Sequence, residues 1–117
     1  MPEVNGKLQG HAQRIQVPDG SVTELTTVLE KPATTEEIND AFKKAFENCE
    51  YFGYNADSIV SSDIIGDTHG GVFDPTQTDV NTVDGVTLAR TVTFYDNEYG
   101  FTSNMIRTLL YFAEISE

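Results

Sequence analysis

Two runs of residues joined by Asp84-Gly85 constrain the fold of this chain more than any other feature. Asp-Gly readily adopts the two positive φ angles of a type I′ turn, whose twist matches that of paired strands. The sequence therefore predicts an antiparallel hairpin with arms at about residues 76–83 and 86–95. In the second arm, strict alternation places four apolar residues on one face with Arg90, namely Val86, Leu88, Val92 and Phe94.

The rest of the chain predicts a further strand and two helices around this hairpin. Residues 21–31 are rich in Val, Thr and Leu and follow a Pro-Asp-Gly turn, which indicates a strand. Thr34 and Glu37 form a capping-box pattern before an amphipathic helix at 35–48, and a second helix is predicted at 98–115. The segment 50–75 is expected to be loop-rich, with short extended pieces at 59–65 and 72–73. These elements predict one α+β domain over residues 1–117, with a mostly antiparallel sheet and two helices.

Composition limits the partners and the compartment. The chain has 19 acidic and 7 basic residues, a formal charge of −12, which argues against binding nucleic acid or an anionic membrane surface. It also contains no run of about 18 apolar residues that would predict a membrane-spanning helix. The single cysteine cannot form an internal disulfide and fits a reducing compartment, so a cytoplasmic location is expected.

The residue types that usually carry catalysis or bind metals do not form a recognisable site. Cys49 ends the apolar stripe of the first helix beside Glu47 and Glu50, surroundings that disfavour a thiolate, so we expect a packed structural thiol. His69 is interpreted as a loop residue. The recurring aspartates lack the spacing of a calcium loop and are expected to be solvated turn residues: Asp63, Asp67, Asp74, Asp79 and Asp84. No catalytic residue and no metal site are predicted.

Two positions leave a structural and a functional interpretation open. Arg14 is either an ordinary surface residue or part of an anion site, because its guanidinium is suited to phosphate. At the predicted junction of strand and helix, Asp96 or Asn97 could cap the helix. Alternatively, the amide of Asn97 could serve a ligand carboxamide, since it offers a donor and an acceptor together.

Several blocks, in this order, resemble glyceraldehyde-3-phosphate dehydrogenase. The resemblance covers essentially the whole chain and matches the C-terminal part of the family's catalytic domain, without the dinucleotide-binding domain. The blocks are PEVNGKLQGHAQRIQVPDGSVTELTTVLEK, TTEEINDAFKKAF, FGYNADSIVSSDIIGD and TVTFYDNEYGFTSNMIRTLLYFAEI. VSSDIIGD and YDNEYGF are the most specific, because both occur in the expected order.

The resemblance implies roles for three residues. Asn97 matches the family's Asn that hydrogen-bonds the nicotinamide carboxamide of NAD, and Arg14 matches an Arg that binds the phosphate of glyceraldehyde 3-phosphate or inorganic phosphate. Phe101 occupies the position of a Tyr near the nicotinamide, so the ring is kept and the hydroxyl is lost. Tyr99 stands where Trp is common. The resemblance also implies a homotetramer, in which the region around residues 60–74 packs between subunits.

The resemblance places the nucleophilic Cys, its activating His and the cofactor domain upstream of these residues. Cys49 does not match the nucleophile. The 117 residues alone are therefore expected to be inactive and to bind NAD weakly at most. The alternative interpretation is a free-standing, acidic protein-interaction module derived from this enzyme.

Overall fold

The computed structural model of the chain describes residues 2–116 and confirms the α+β class. The elements in chain order are a 3₁₀ turn at Pro2–Val4, β1 at Ser21–Leu29, α1 at Thr35–Phe46, β2 at Gly53–Tyr54, a 3₁₀ turn at Ser61–Ile64, β3 at Val72–Val83, β4 at Val86–Tyr95 and α2 at Tyr99–Glu114. The strands form one sheet in the order β1-β4-β3-β2. The β1–β4 and β4–β3 pairs are antiparallel, and β2 pairs parallel with β3. Within residues 2–116, no helix is both long and apolar enough to cross a membrane.

The predicted hairpin is confirmed, and its first arm is longer than expected. Asp84 and Gly85 have φ angles of 51° and 80°, as a type I′ turn requires. β3 begins at Val72, and its register with β4 shifts between Asp74 and Asp79. β3 therefore pairs with β4 in two stretches, one before and one after an irregularity of the bulge type.

Asp74 stabilises this irregularity, and its predicted exposure is wrong. Its side chain is fully buried. One carboxylate oxygen accepts hydrogen bonds from the backbone N–H and the hydroxyl of Thr76, at 2.9 and 2.6 Å, and the other accepts from the Gln77 amide at 2.8 Å. A buried carboxylate needs such donors, and here the residues directly after it supply them.

The two faces of the sheet are covered by different segments. On one face Val72, Val92 and Phe94 pack with Ile64 of the second 3₁₀ turn. On the other face Phe42 of α1 stacks on Phe73, with ring centroids 4.1 Å apart. Val86 and Leu88 share a face with Phe94, as predicted. They are nevertheless exposed, because the second 3₁₀ turn covers only the C-terminal end of β4.

Residues 61–64 form a 3₁₀ turn where an extended piece was predicted, so that prediction is wrong. The backbone N–H of Val60 donates to the Asp63 carboxylate at 2.8 Å, and the N–H of Asp63 donates to the Val60 carbonyl at 2.9 Å. These local bonds compete with extended backbone.

The capping box of α1 is confirmed, since Thr34 and Glu37 exchange hydrogen bonds of 3.1 and 2.8 Å.

α2 joins the rest of the chain along a narrow line of small and polar residues. A Cβ atom on Gly100 would lie 2.5 Å from the His69 carbonyl oxygen, so only glycine allows this approach. Further along, the Arg107 guanidinium donates to the Thr68 carbonyl at 2.7 Å. The apolar side chains along the rest of the helix are exposed, among them Phe101, Met105, Leu109 and Phe112.

Candidate functional site

The candidate site lies at the corner where β4 ends and α2 begins, and Asp96 fixes its backbone. Asp96 is 1% exposed. One carboxylate oxygen accepts from the N–H groups of Glu98 and Tyr99, at 2.8 and 2.7 Å. The other accepts from the N–H of Gly66 at 2.8 Å. Asp96 thus caps α2 and ties the corner to the end of the 3₁₀ segment, which settles the capping question in its favour.

The surroundings of Asp96 keep its carboxylate ionised. Burial acts to raise the pKa of this carboxyl, but the hydrogen bonds from three backbone N–H groups outweigh it and leave the pKa below its ordinary value of 3.8. A fixed negative charge next to the N-terminus of α2 is also favourable to the helix dipole. The carboxylate that accepts these three hydrogen bonds is therefore ionised at neutral pH.

Asn97 takes no part in the cap and is exposed. Its side-chain oxygen accepts a hydrogen bond from the hydroxyl of Ser21, with 2.9 Å between Oγ and Oδ1. The side-chain NH₂ of Asn97 makes no hydrogen bond to the residues that the structure describes. This amide group is therefore available as a donor to a ligand.

The chain brings Ser21 to Asn97 through the pairing of β1 with β4. Ser21 is the first residue of β1 and lies opposite Tyr95, two residues before Asn97. Gly20 precedes it with a φ of +91°, and a Cβ atom there would lie 2.9 Å from the Ser61 carbonyl oxygen. Glycine is therefore needed at this position both for the backbone conformation and for the close approach.

Phe101 lies in the first turn of α2, close in sequence to Asn97, and the residue is 71% exposed. The two residues that sequence analysis assigned to cofactor binding thus belong to one exposed corner. An exposed aromatic ring in the first turn of the helix, four residues after an amide whose NH₂ group has no partner among the described residues, is chemically suited to a flat heteroaromatic ligand that carries a carboxamide.

Arg14 does not join this corner. It lies in the exposed, irregular segment between the first 3₁₀ turn and β1. Its guanidinium makes no hydrogen bond or ion pair with any residue from 2 to 116. Among residues 2–116, no hydrogen bond or ion pair links the predicted anion-binding residue to Asn97 or Phe101, and it lies on a segment with no regular secondary structure.

Cys49 and His69 line one groove, of about 480 Å³, between the end of α1 and the loop that contacts α2. Cys49 is a half-buried free thiol. His69 is a loop residue, as predicted, and Asp67 fixes it: one Asp67 oxygen lies 2.7 Å from both the backbone nitrogen and Nδ1 of His69. Sequence analysis did not anticipate that these residues would share a groove.

Ser21 is the site residue that sequence analysis missed. It is separated from Asn97 by 76 positions, so no local pattern reports the contact. The only usable signal was the register of β1 against β4, which places the start of one strand beside the end of the other.

The comparisons with known proteins agree with this architecture. The family model described as Glyceraldehyde 3-phosphate dehydrogenase, C-terminal domain, matches residues 1–97. The chain is similar to Glyceraldehyde-3-phosphate dehydrogenase from Lactobacillus delbrueckii subsp. bulgaricus, with 57% identity over 98% of this chain and 33% of that protein. It is also 54% identical to the protein of the same name from Lactococcus lactis subsp. lactis and 53% identical to that from Clostridium pasteurianum, covering 100% of this chain and 34% of each relative.

The chain spans about a third of the length of these curated relatives. The family model nevertheless covers most of the chain, including β1, the hairpin and the corner up to Asn97. The chain therefore belongs to the family of the glyceraldehyde 3-phosphate dehydrogenase C-terminal domain.

Proposed function

We propose that these 117 residues serve as the C-terminal part of an NAD-dependent, phosphorylating glyceraldehyde-3-phosphate dehydrogenase. The complete enzyme oxidises glyceraldehyde 3-phosphate to 1,3-bisphosphoglycerate with NAD and inorganic phosphate. In this proposal the chain supplies Asn97 and Phe101 to the nicotinamide site and Arg14 to an anion site. In this proposal the assembled enzyme is a homo-oligomer, as the family resemblance implies, and it is cytoplasmic, as the single cysteine led us to expect.

One observation carries the cofactor assignment: Asp96 caps α2, so capping does not explain Asn97. The Asn97 NH₂ remains available while its oxygen is held by Ser21, and the Phe101 ring is exposed at the same corner. These groups fit the carboxamide and the flat ring of nicotinamide. When bound, NAD accepts a hydride from the substrate. Asn97 orients the carboxamide, and Phe101 contributes an apolar surface that excludes water from one side of the ring.

The anion assignment of Arg14 depends on charge and availability. The Arg14 guanidinium is exposed and unpaired among the described residues, in a chain whose formal charge is −12. An Arg that stays unpaired in such acidic surroundings is free to bind a phosphate through two parallel N–H donors.

We propose further that the chain by itself has no dehydrogenase activity. Attack on the aldehyde needs a thiolate activated by a histidine. Cys49 lies three residues beyond α1, between Glu47 and Glu50 in sequence, and His69 is hydrogen-bonded to Asp67. Loss of a covalent nucleophile costs on the order of 10⁶ in turnover in well-studied hydrolases.

A hybrid enzyme tests this proposal. The upstream two-thirds of the Lactobacillus delbrueckii relative is produced alone, mixed with this chain, and also fused to it as one polypeptide. We expect phosphate-dependent reduction of NAD from the fusion, and no activity from this chain alone.

In the fusion, Asn97→Ala should raise KM for NAD about tenfold, the equivalent of one lost hydrogen bond. Arg14→Ala should raise KM for phosphate by about ten- to a hundredfold.

Matched controls separate these effects from general damage. Asn48→Ala removes an exposed amide and Lys7→Ala an exposed cation, both away from the corner. Neither control should change a Michaelis constant. A fusion that folds as an oligomer but is inactive, or an Asn97→Ala variant with unchanged KM for NAD, would overturn the assignment. If the chain instead captures an unrelated protein and never restores activity, the interaction-module alternative gains support.

A further inference from the structure

The hydrogen bond between Ser21 and Asn97 joins the first residue of a paired strand to an exposed side chain after the end of β4. Ser21 opens β1, is half-buried, and is paired with Tyr95 across the sheet. Asn97 follows the capped corner and its side chain is exposed. The side-chain hydrogen bond is 2.9 Å long and is the only one that either side chain makes among residues 2–116. The strand therefore supplies the fixed partner, and the amide is the group whose orientation is set.

An asparagine amide has two orientations of similar shape that present opposite chemistry. Rotation about its last side-chain bond exchanges the oxygen with the NH₂ group, and this torsion has only a broad, two-fold preference of its own. Without a neighbour, an exposed Asn would offer a ligand either an acceptor or a donor. Because the Ser21 hydroxyl donates to Oδ1, the arrangement seen here leaves the donor pointing away from Ser21.

We propose that Ser21 is a positioning residue that fixes the Asn97 amide so that its NH₂ group donates to the carbonyl oxygen of the nicotinamide carboxamide. This inference rests on the proposed role of Asn97 in binding the cofactor. Ser21 itself does not touch the cofactor. It raises affinity by holding the amide in its binding orientation before the ligand arrives, which reduces the conformational entropy lost on binding.

The neighbourhood of Ser21 explains why this position suits the task. Gly20 brings the chain close to Ser61 and sets the direction in which β1 begins. Asp96, immediately before Asn97, fixes the corner from the other side through the N–H groups of the first turn of α2. The backbones on both sides of the Ser21–Asn97 hydrogen bond are therefore held, and only the side-chain torsions remain for this hydrogen bond to set.

The test uses the hybrid enzyme that contains the whole of this chain, with Ser21→Ala, Ser21→Thr and Asn97→Ala introduced singly and in combination. NAD affinity is measured by quenching of protein fluorescence, and KM and kcat are measured separately. We expect Ser21→Ala to weaken NAD binding about three- to tenfold, with kcat changed much less. Ser21→Thr keeps the hydroxyl and should bind NAD as well as the parent. Thr23→Ala, an exposed position on the same strand, is the control and should change nothing.

A double-mutant cycle separates positioning from a structural role. In the Asn97→Ala background, Ser21→Ala should have no further effect on NAD affinity, because the group that Ser21 orients is already gone. Additive losses would mean that Ser21 only stabilises the fold, and they would overturn the inference. The inference is also overturned if the Ser21→Ala variant binds NAD as tightly as the parent while the Asn97→Ala variant binds it more weakly. If Asn97→Ala itself binds NAD normally, the proposed function fails as well, so the two failures are distinguishable.

The donor direction has its own measurement, with 3-acetylpyridine adenine dinucleotide as the probe. This analogue keeps the carbonyl oxygen of the carboxamide and replaces its NH₂ with a methyl group. If the Asn97 NH₂ donates to the carbonyl, Asn97→Ala should weaken NAD and the analogue by the same factor. A loss confined to NAD would mean that the Asn97 oxygen accepts from the carboxamide NH₂, and the proposed orientation would be wrong.

Discussion

Two adjacent polar residues at the β4–α2 corner differ in burial and in hydrogen bonding. Asp96 is buried and accepts three backbone hydrogen bonds, whereas Asn97 is exposed and has one side-chain partner. Either residue type can cap a helix, so composition alone does not distinguish them. The distinction comes from the direction of the strand as it ends, which points the first side chain inward and the second outward.

Replacing Asp96 with Asn should destabilise the chain. Oδ2 of Asp96 accepts from the N–H of Gly66, and an NH₂ group at that position would face another donor. Loss of this charge-assisted hydrogen bond predicts a loss of about 1.5–3 kcal/mol in the free energy of unfolding. Urea unfolding followed by circular dichroism measures this loss. Asp57→Asn, at an exposed position, is the matched control and should have little effect.

The difference between parent and Asp96→Asn should depend on pH in a defined direction. The folded-state pKa of Asp96 lies below its ordinary value of 3.8, so ionisation stabilises the folded state. This contribution is fully present above the unfolded-state value and is lost as the pH falls through the folded-state pKa. We therefore expect the difference to be constant near neutral pH and to shrink below about pH 4. A difference that grew on acidification would contradict this sign.

At the scale of elements, local chemistry made most of the fold predictable. The hairpin turn, the capping box of α1 and the start of β1 each depend on residues that are neighbours in sequence. The Asp-Gly turn requires two positive φ angles, and the capping box requires bonds between residues three positions apart. Sequence patterns report such requirements directly.

The features that were missed all depend on distant or irregular contacts. β2 exists because Gly53 and Tyr54 pair in parallel with the start of β3, and two residues give no periodic signal. Asp74 is buried because it pairs in register with the buried Val92 and so faces the core, and the polar residues that follow it donate its hydrogen bonds. In the candidate site, Asn97 could be identified, but the contact with Ser21 required knowledge of the β1–β4 register.

The junction between α2 and the loop before β3 should be sensitive to a single added methyl group. A Cβ atom on Gly100 would lie 2.5 Å from the His69 carbonyl oxygen and 3.7 Å from Gly70 Cα. Backbone atoms cannot retreat as a flexible side chain can, so Gly100→Ala should lower the free energy of unfolding by about 1–3 kcal/mol, although Ala favours helices. Gly10→Ala, where no atom lies within 4 Å, is the control. Equal stability of both variants in urea would show that the helix can shift.

As a whole molecule, the described chain is extended for its length and leaves much apolar surface uncovered. Its radius of gyration is 16.1 Å, compared with about 13 Å for a compact domain of this size. α2 carries more of the exposed large apolar side chains than any other element, since it contacts the rest of the chain mainly through Gly100, Asn104 and Arg107. Its exposed stripe includes Phe101, Leu109 and Phe112. These properties favour a chain that completes its packing with other polypeptide.

The isolated chain should therefore self-associate. Leu109 and Phe112 are 68% and 57% exposed, and apolar patches of this kind rarely stay uncovered in monomeric proteins. In sedimentation velocity, we expect the weight-average sedimentation coefficient to rise with concentration. The double variant Leu109→Asn, Phe112→Asn should require about tenfold or more protein to associate. The reason is that it lacks two apolar side chains that association would bury.

Two comparisons make this prediction specific to α2. Thr102→Asn changes an exposed polar residue of the same helix and should leave the association unchanged. Addition of the upstream two-thirds of the Lactobacillus delbrueckii relative should replace self-association with a mixed complex, because the same apolar stripe would then be covered by its proposed partner. A sharp monomer boundary at every concentration would contradict the prediction and would mean that α2 tolerates water along its whole apolar side.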